Sequence, residues 1–218
     1  LPYPSNPTGV TLPEEELEKI AKLLEDKDIF VLSDEIYSEL VFNGKHHSIA
    51  KYESMKNKTI IINGVSKSHS MTGWRIGFVL GPEYIMQQMI KVHQYNVSCT
   101  SSISQYAALE ALTLGKNDAD DMKKVYKERM HYVYNRLTNM GIEVVKPNGA
   151  FYLFPNIEKF GLSSFDFALK MVEEAKVAVV PGSAFSEYGE GFVRLSYAYN
   201  MDLLEKAMDR MEDFIKKI

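Results

Sequence analysis

Residues 59–80 read TIIINGVSKSHSMTGWRIGFVL, and this stretch decides the fold. Thr59 to Asn63 is a continuous apolar run, the length of a strand and too short for a helix of its own. Gly64-Val65-Ser66-Lys67 follows it, and Phe78-Val79-Leu80 is another short run, closed by Gly81-Pro82. Upstream, Ile29-Phe30-Val31-Leu32 is of the same kind and ends in Ser33-Asp34-Glu35, so acids stand at the carboxyl end of what reads as a buried parallel strand. Before it, Leu17, Ile20, Ala21 and Leu24 recur at helical spacing and predict a helix over 12–26. Thr11 and Glu14 have the spacing of a capping box, with Pro13 in the first turn. Strands alternating with helices argue an α/β fold on a parallel sheet.

Further along, helices are expected at 83–95, 101–115 and 119–140, with a break at Gly115-Lys116-Asn117-Asp118. Then strand candidates at 142–146, 151–154, 176–180 and 192–198 alternate with helices at 164–174 and 201–217. This reads as a smaller α+β unit. Residues 1–118 are therefore expected to form part of a large α/β domain, and 119–218 a small α+β domain. The chain opens on LPYPSNPTG, a loop by composition and without an initiator Met. That opening looks like the middle of a domain, so the chain is expected to be the C-terminal part of a longer protein.

The 218 residues are 45% hydrophobic and 25% charged, an ordinary globular balance. A formal charge of -4 argues against nucleic acid as the main partner. No apolar run reaches the roughly 18 residues of a membrane span, so no membrane partner is expected. The single cysteine, Cys99, allows no internal disulfide and fits a reducing, cytoplasmic compartment. His46-His47 lacks metal-ligand spacing and reads as loop surface, and no metal is expected.

Ligands of open α/β sheets bind beyond the carboxyl ends of the strands. Asn6, Asp34 and Lys67 are all expected near such ends. Singly they are ordinary: a turn former, a turn acid and a surface charge. In sequence order, however, Ser5-Asn6-Pro7-Thr8-Gly9, Ser33-Asp34-Glu35-Ile36-Tyr37, Ser66-Lys67-Ser68-His69-Ser70-Met71-Thr72-Gly73-Trp74-Arg75-Ile76-Gly77, Val180-Pro181-Gly182-Ser183 and Val193-Arg194-Leu195-Ser196 form a set. This set resembles the signature of the class I/II, fold-type I aminotransferases that use pyridoxal phosphate, and is most similar to bacterial N-acetyl-diaminopimelate and aromatic aminotransferases.

The resemblance implies the fold: the remainder of a large pyridoxal-phosphate-binding domain followed by the small C-terminal domain. It implies the activity too, transfer of an amino group from an L-amino acid to a 2-oxo acid such as 2-oxoglutarate, within amino-acid biosynthesis. Lys67 would form a Schiff base with the cofactor and, once freed, carry a proton. Asp34, expected to be buried, would pair with the pyridine nitrogen, and Tyr37 and Asn6 would share the ring's 3′-oxygen. Arg75 would grip the phosphate, where a planar fork suits a dianion, with Ser66 and less firmly Ser68 as hydroxyl donors. Gly73 and Gly77 would allow close backbone approach. Arg194, on an apolar strand, would clamp the substrate carboxylate, with Asn6 beside it. Trp74 and His69 are expected to have no part in the chemistry. A homodimer is implied, with residues 95–102 near the partner. A C–S β-lyase of the same fold, or an inactive fragment of the aminotransferase, would carry the same residues, and both alternatives stay open here.

Overall fold

The structure is a computed structural model that describes residues 1–218. The chain divides into two compact units: Leu1–Pro4 with Thr11–Lys123, and Ser5–Val10 with Lys124–Ile218.

In the first unit, helix α1 (Glu14–Leu24) buries Leu17 and Ala21 against Val31, Ile49 and Met55. It starts later than its sequence pattern suggests. Pro13 stands at its N-cap and offers no side-chain cap bond. Glu14, Glu15 and Glu16 complement the positive end of the helix dipole instead. At the other end Lys58 Nζ donates to the carbonyls of Leu24, Glu25 and Lys27, at 3.2, 2.6 and 2.7 Å.

Strands β1 (Val31–Asp34) and β2 (Thr59–Asn63) are parallel, with Asp34 opposite Ile62. After β2 come Gly64 and the one-turn helix α2 (Val65–Ser68). Strand β3 (Phe78–Leu80) then returns antiparallel to β2, with Phe78 opposite Asn63. The sheet is thus mixed rather than wholly parallel. Nor is β1 buried on both faces: Val31 and Ser33 point inward, while Leu32 is 55% exposed and Asp34 is exposed as well. Helix α3 (Glu83–Val97) buries no residue of its own, and α4 (Ser102–Thr113) buries Ser104, Ala108 and Ala111, the two alanines packing with Val65 and Ile76.

Helix α5 (Asp118–Asn139) crosses the division between the units. In the second unit its buried Met130, Val133 and Leu137 form one stripe. Strands β4 (Tyr152–Leu153), β5 (Val180–Pro181) and β6 (Val193–Ser196) make an antiparallel sheet in the order β4-β6-β5. Helix α6 (Ser164–Lys170) is capped by Ser163 and runs on into a π turn at Met171–Ala175. Helix α7 (Met201–Ile215), capped by Asn200, buries Leu204, Met208, Met211 and Phe214. The strand expected at 142–146 is absent: Ile142 is buried and Val144 partly so, as alternation asks, but the segment forms no ladder, with Asn156 N to Glu143 O at 2.8 Å as its backbone bond to a neighbouring segment. Of the strand expected at 176–180 only Val180 pairs, opposite Arg194.

Two glycines hold the second unit's β5 turn. A Cβ on Gly182 would lie 1.8 Å from the Gly189 carbonyl oxygen, and one on Gly189 2.2 Å from the Gly182 oxygen. The two backbones touch with no room for any side chain between them.

Candidate active site

Strand register alone gathers most of the residues singled out in the sequence. β1 and β2 run parallel and β3 runs back, so the carboxyl ends of β1 and β2 share one edge with the amino end of β3. Asp34 ends β1, Tyr37 lies in the turn after it, Ser66 and Lys67 sit on α2, and Arg75 precedes β3. This is the edge at which open α/β sheets bind ligands.

Local geometry sets each side chain. Asp34 Oδ1 accepts from the Ile36 backbone at 3.2 Å, shaping the turn, and the carboxylate is exposed rather than buried because it lies on the open face of β1. Tyr37 is 5% exposed. Lys67 is partly buried and no carboxylate pairs with it. Ser66 is partly buried. Ser68 is turned away from such a role, its Oγ lying 2.8 Å from His69 Nδ1, while His69 Nε2 is 3.1 Å from the Gly115 carbonyl. Both ring nitrogens of His69 are therefore engaged in holding α2. Trp74 is exposed, and its carbonyl accepts from Ser104 Oγ at 2.7 Å.

Arg75 adopts a left-handed backbone (φ 54), as does Ser70 (φ 52). For residues with a Cβ this conformation costs about 1 kcal/mol each and concentrates at ligand sites. The Arg75 guanidinium is exposed, with Nη1 donating to Thr72 O at 2.9 Å. Close backbone approach rests on Gly64 and Gly77: a Cβ on Gly64 would be 3.1 Å from Gly77 Cα, and one on Gly77 3.2 Å from Asn63 O. Gly73, expected to serve this way, has nothing within 4 Å of a built Cβ.

The second unit carries its own constellation. Arg194, on β6, donates from Nη1 to Asn6 Oδ1 at 2.8 Å. Its guanidinium lies over the rings of Tyr152, at 4.5 Å, and Phe185, at 5.0 Å. Its Nε is buried without a hydrogen-bond partner, and no acid pairs with it. A half-buried guanidinium with a spare donor is arranged to receive an anion. The loop that brings Asn6 here is pinned at Gly9 (φ 69), whose carbonyl accepts from Asn148 N and Gly149 N at 3.0 Å each. A Cβ at Gly9 would lie 2.5 Å from Pro147 Cβ.

The family model for class I and II aminotransferases matches residues 1–211. The chain belongs to this family. The aminotransferase-family chain is 62% identical over 217 residues to a probable N-acetyl-LL-diaminopimelate aminotransferase of Bacillus subtilis (strain 168), covering all of this chain and 55% of that protein. It is 46% identical to an aromatic-amino-acid aminotransferase of Thermococcus litoralis, covering 98% of this chain and 56% of that one. The crystal structure of an aromatic aminotransferase from Pyrococcus horikoshii OT3 superposes with a TM-score of 0.96 at 45% identity, over 99% of this chain and 59% of the other. The aminotransferase-family chain thus spans little more than half the length of the relatives it matches. Its fold is that of the fold-type I enzymes, and the family uses pyridoxal phosphate.

Tyr152 and Phe185 escaped the sequence reading. Phe185 follows the Pro181-Gly182-Ser183 turn that the reading did single out, but an aromatic after a turn reads as core. Only the charge on β6, in need of a covering surface, could have pointed to them.

Proposed function

We propose that the protein transfers an amino group from an L-amino acid to a 2-oxo acid such as 2-oxoglutarate. The observation that carries this reading is the convergence of Asp34, Tyr37, Lys67 and Arg75 on one sheet edge. A carboxylate, a phenol, a primary amine and a guanidinium are the complement of pyridoxal phosphate's ring nitrogen, 3′-oxygen, aldehyde and phosphate, so the residues present fit the group. When bound, pyridoxal phosphate supplies the electron sink for the pair left at the substrate Cα.

Lys67 is the amine that holds the cofactor covalently and, when free, moves the Cα proton. Its lack of an acid partner leaves Nζ available for both tasks. Asp34 holds the proton on the ring nitrogen, and the Tyr37 hydroxyl donates to the 3′-oxygen. Arg75, fixed by its left-handed backbone, presents its fork to the phosphate, with the Ser66 hydroxyl beside it. Arg194 orients the substrate α-carboxylate through its unpartnered Nε, with Asn6 buttressing the guanidinium. We read the protein as a cytoplasmic homodimer with residues 95–102 near the partner. The exposed apolar side chains on α3 and α4, among them Ile90, Tyr95, Ile103 and Tyr106, support that reading.

The test is borohydride reduction of the native protein with pyridoxal phosphate, followed by peptide mapping and an amino-transfer assay. The pyridoxyl group is expected on Lys67, and Lys67→Ala loses both label and transfer. Label on another lysine overturns the site assignment. Pyruvate release from cystathionine without amino transfer replaces the reaction by a β-elimination.

A further inference from the structure

Beneath the edge that carries Asp34 and Tyr37 lies a buried acid that the proposed chemistry does not use. Glu35, immediately after β1, is 5% exposed. Its Oε1 accepts from Ser33 Oγ at 3.1 Å and from Ser48 Oγ at 2.6 Å. Its Oε2 lies 3.1 Å from His46 Nε2, within ion-pair distance but off the line of a hydrogen bond, so that nitrogen has no hydrogen-bond partner. The Ser48 hydroxyl in turn accepts from Ala50 N at 3.3 Å and caps the short 3₁₀ turn Ile49–Lys51. The Glu35 backbone is equally committed, its N donating to Ile62 O on β2 at 2.8 Å and its O accepting from Ser38 N at 2.9 Å.

One residue therefore joins β1, β2, the turn after β1 and the segment 46–48. Burying a carboxylate costs several kcal/mol before its partners offset it, and an apolar side chain would fill the space without that cost. Burial pushes the Glu35 carboxyl up, but His46 and the serine hydroxyls outweigh it and leave the group below the usual carboxylate range. Glu39 and Lys45 of the same loop, Asn63 of β2 and Lys123 of α5 face the pair across a polar cavity of about 340 Å³.

Asp34, the last residue of β1, is exposed, whereas Glu35 and Tyr37 in the turn that follows are both buried, so Glu35 is an inward anchor of the turn that carries both groups of the proposed site. The turn also carries local bonds, Ile36 N to Asp34 Oδ1 and Leu40 N to Tyr37 O at 2.9 Å, and one from β2, Asn63 Nδ2 to Ser38 Oγ at 3.2 Å. We infer that Glu35 is a positioning residue, its carboxylate tying the turn that sets Asp34 and Tyr37 at the sheet edge to Ser33, Ser48 and His46. The inference rests on the aminotransferase reading for what the turn presents, and on the geometry alone for the tie.

Two measurements on the native protein test it. The first is the pH midpoint of the visible absorption change of the bound cofactor. Glu35→Ala is expected to raise it by about 0.5 to 1 unit, because a displaced Tyr37 no longer favours the ionised ring oxygen. Glu35→Gln keeps acceptors for both serines but loses the charge facing His46, and is expected to give a smaller rise. The second is amide exchange of Ile36, Ser38 and Leu40 in the cofactor-free protein, expected to quicken about tenfold in Glu35→Ala. Should Glu35→Ala not fold, Glu35→Gln and Ser48→Ala carry both readouts with the same sign. An unmoved midpoint, even with a lowered melting temperature, overturns the inference by making Glu35 merely structural. Unchanged exchange overturns it as well. If the wild-type protein takes the cofactor elsewhere than Lys67, the functional reading fails, while the exchange result still decides whether Glu35 holds the turn.

Discussion

Helices α3 and α7 are each 15 residues long, and they are covered to opposite degrees. In α7 the buried residues Leu204, Met208, Met211 and Phe214 lie on one stripe, and the second unit closes over it. In α3 the apolar residues, among them Tyr84, Met89, Ile90, Val92 and Tyr95, go round the helix, and none is buried. A stripe asks for one neighbour, and the unit supplies it. A helix that is apolar all round asks for more cover than its own unit gives. Both units leave large apolar side chains exposed, but in the first they go all round α3, and that surface fits the proposed subunit contact.

The sharpest break in the comparison comes from glycines. Gly182→Ala drives a Cβ into the Gly189 carbonyl, and neither backbone can yield cheaply. The second unit is expected to lose upwards of about 4 kcal/mol, enough to unfold it in chemical denaturation. Gly73→Ala in the first unit meets nothing and should stay within about 0.5 kcal/mol of wild type. Comparable losses at both positions would erase the distinction. Next in size is Phe214→Ala, which empties a buried site in contact with Phe167 and should cost about 3 kcal/mol. Ile90→Ala removes an exposed side chain and should cost under about 0.5 kcal/mol. A loss above 1 kcal/mol there, measured on the native protein, would show α3 to be covered in solution and sharpen the interface reading.

Acid acts on the first unit through a buried carboxylate and on the second through surface ones, Glu190 and Glu212, which are also held below their ordinary range. Glu35 is held below its ordinary 4.5, so the unfolded chain takes up the proton first. Its contribution is complete above the unfolded pKa and is lost as pH falls through the lower folded value. Denaturation followed from about pH 6 down to pH 3 should show this loss of stability, and Glu35→Gln should flatten that slope. The smallest effect is expected at a cap. Asn200 accepts from Leu203 N at 3.0 Å, so Asn200→Ala should cost about 1 kcal/mol or less, read from the melting of α7.

Legibility in the sequence followed the same division. Helices with a single apolar stripe and a clear stop, such as α5 and α7, stand where their periodicity places them. Strand β1 falls two residues later than its apolar run suggests, because hydrogen bonding, not hydropathy, ends at Asp34. Ile142 to Lys146 carries strand-forming residues but finds no partner strand, and pairing is a long-range property that no local window contains. The same holds at the site. Motif order located Asp34, Tyr37, Lys67 and Arg75 at loops beside strands. It could not reveal that Ser5–Val10 groups with residues from Lys124 onward, or that Tyr152 and Phe185 flank Arg194. Those contacts join positions up to 188 residues apart, as Asn6 and Arg194 are.

The paired glycines of the second unit carry a consequence for how this chain can vary. Most core contacts are side chain against side chain, where a gain in volume on one partner can be traded for a loss on the other. Gly182 and Gly189 meet backbone to backbone, so neither has anything to give up. No second substitution at the facing position can accommodate the first. A library that randomises both should return the parent pair of glycines alone, while exposed neighbours such as Ser186 and Glu187 accept many residues. The turn of β5 is a fixed point about which this surface can be redesigned.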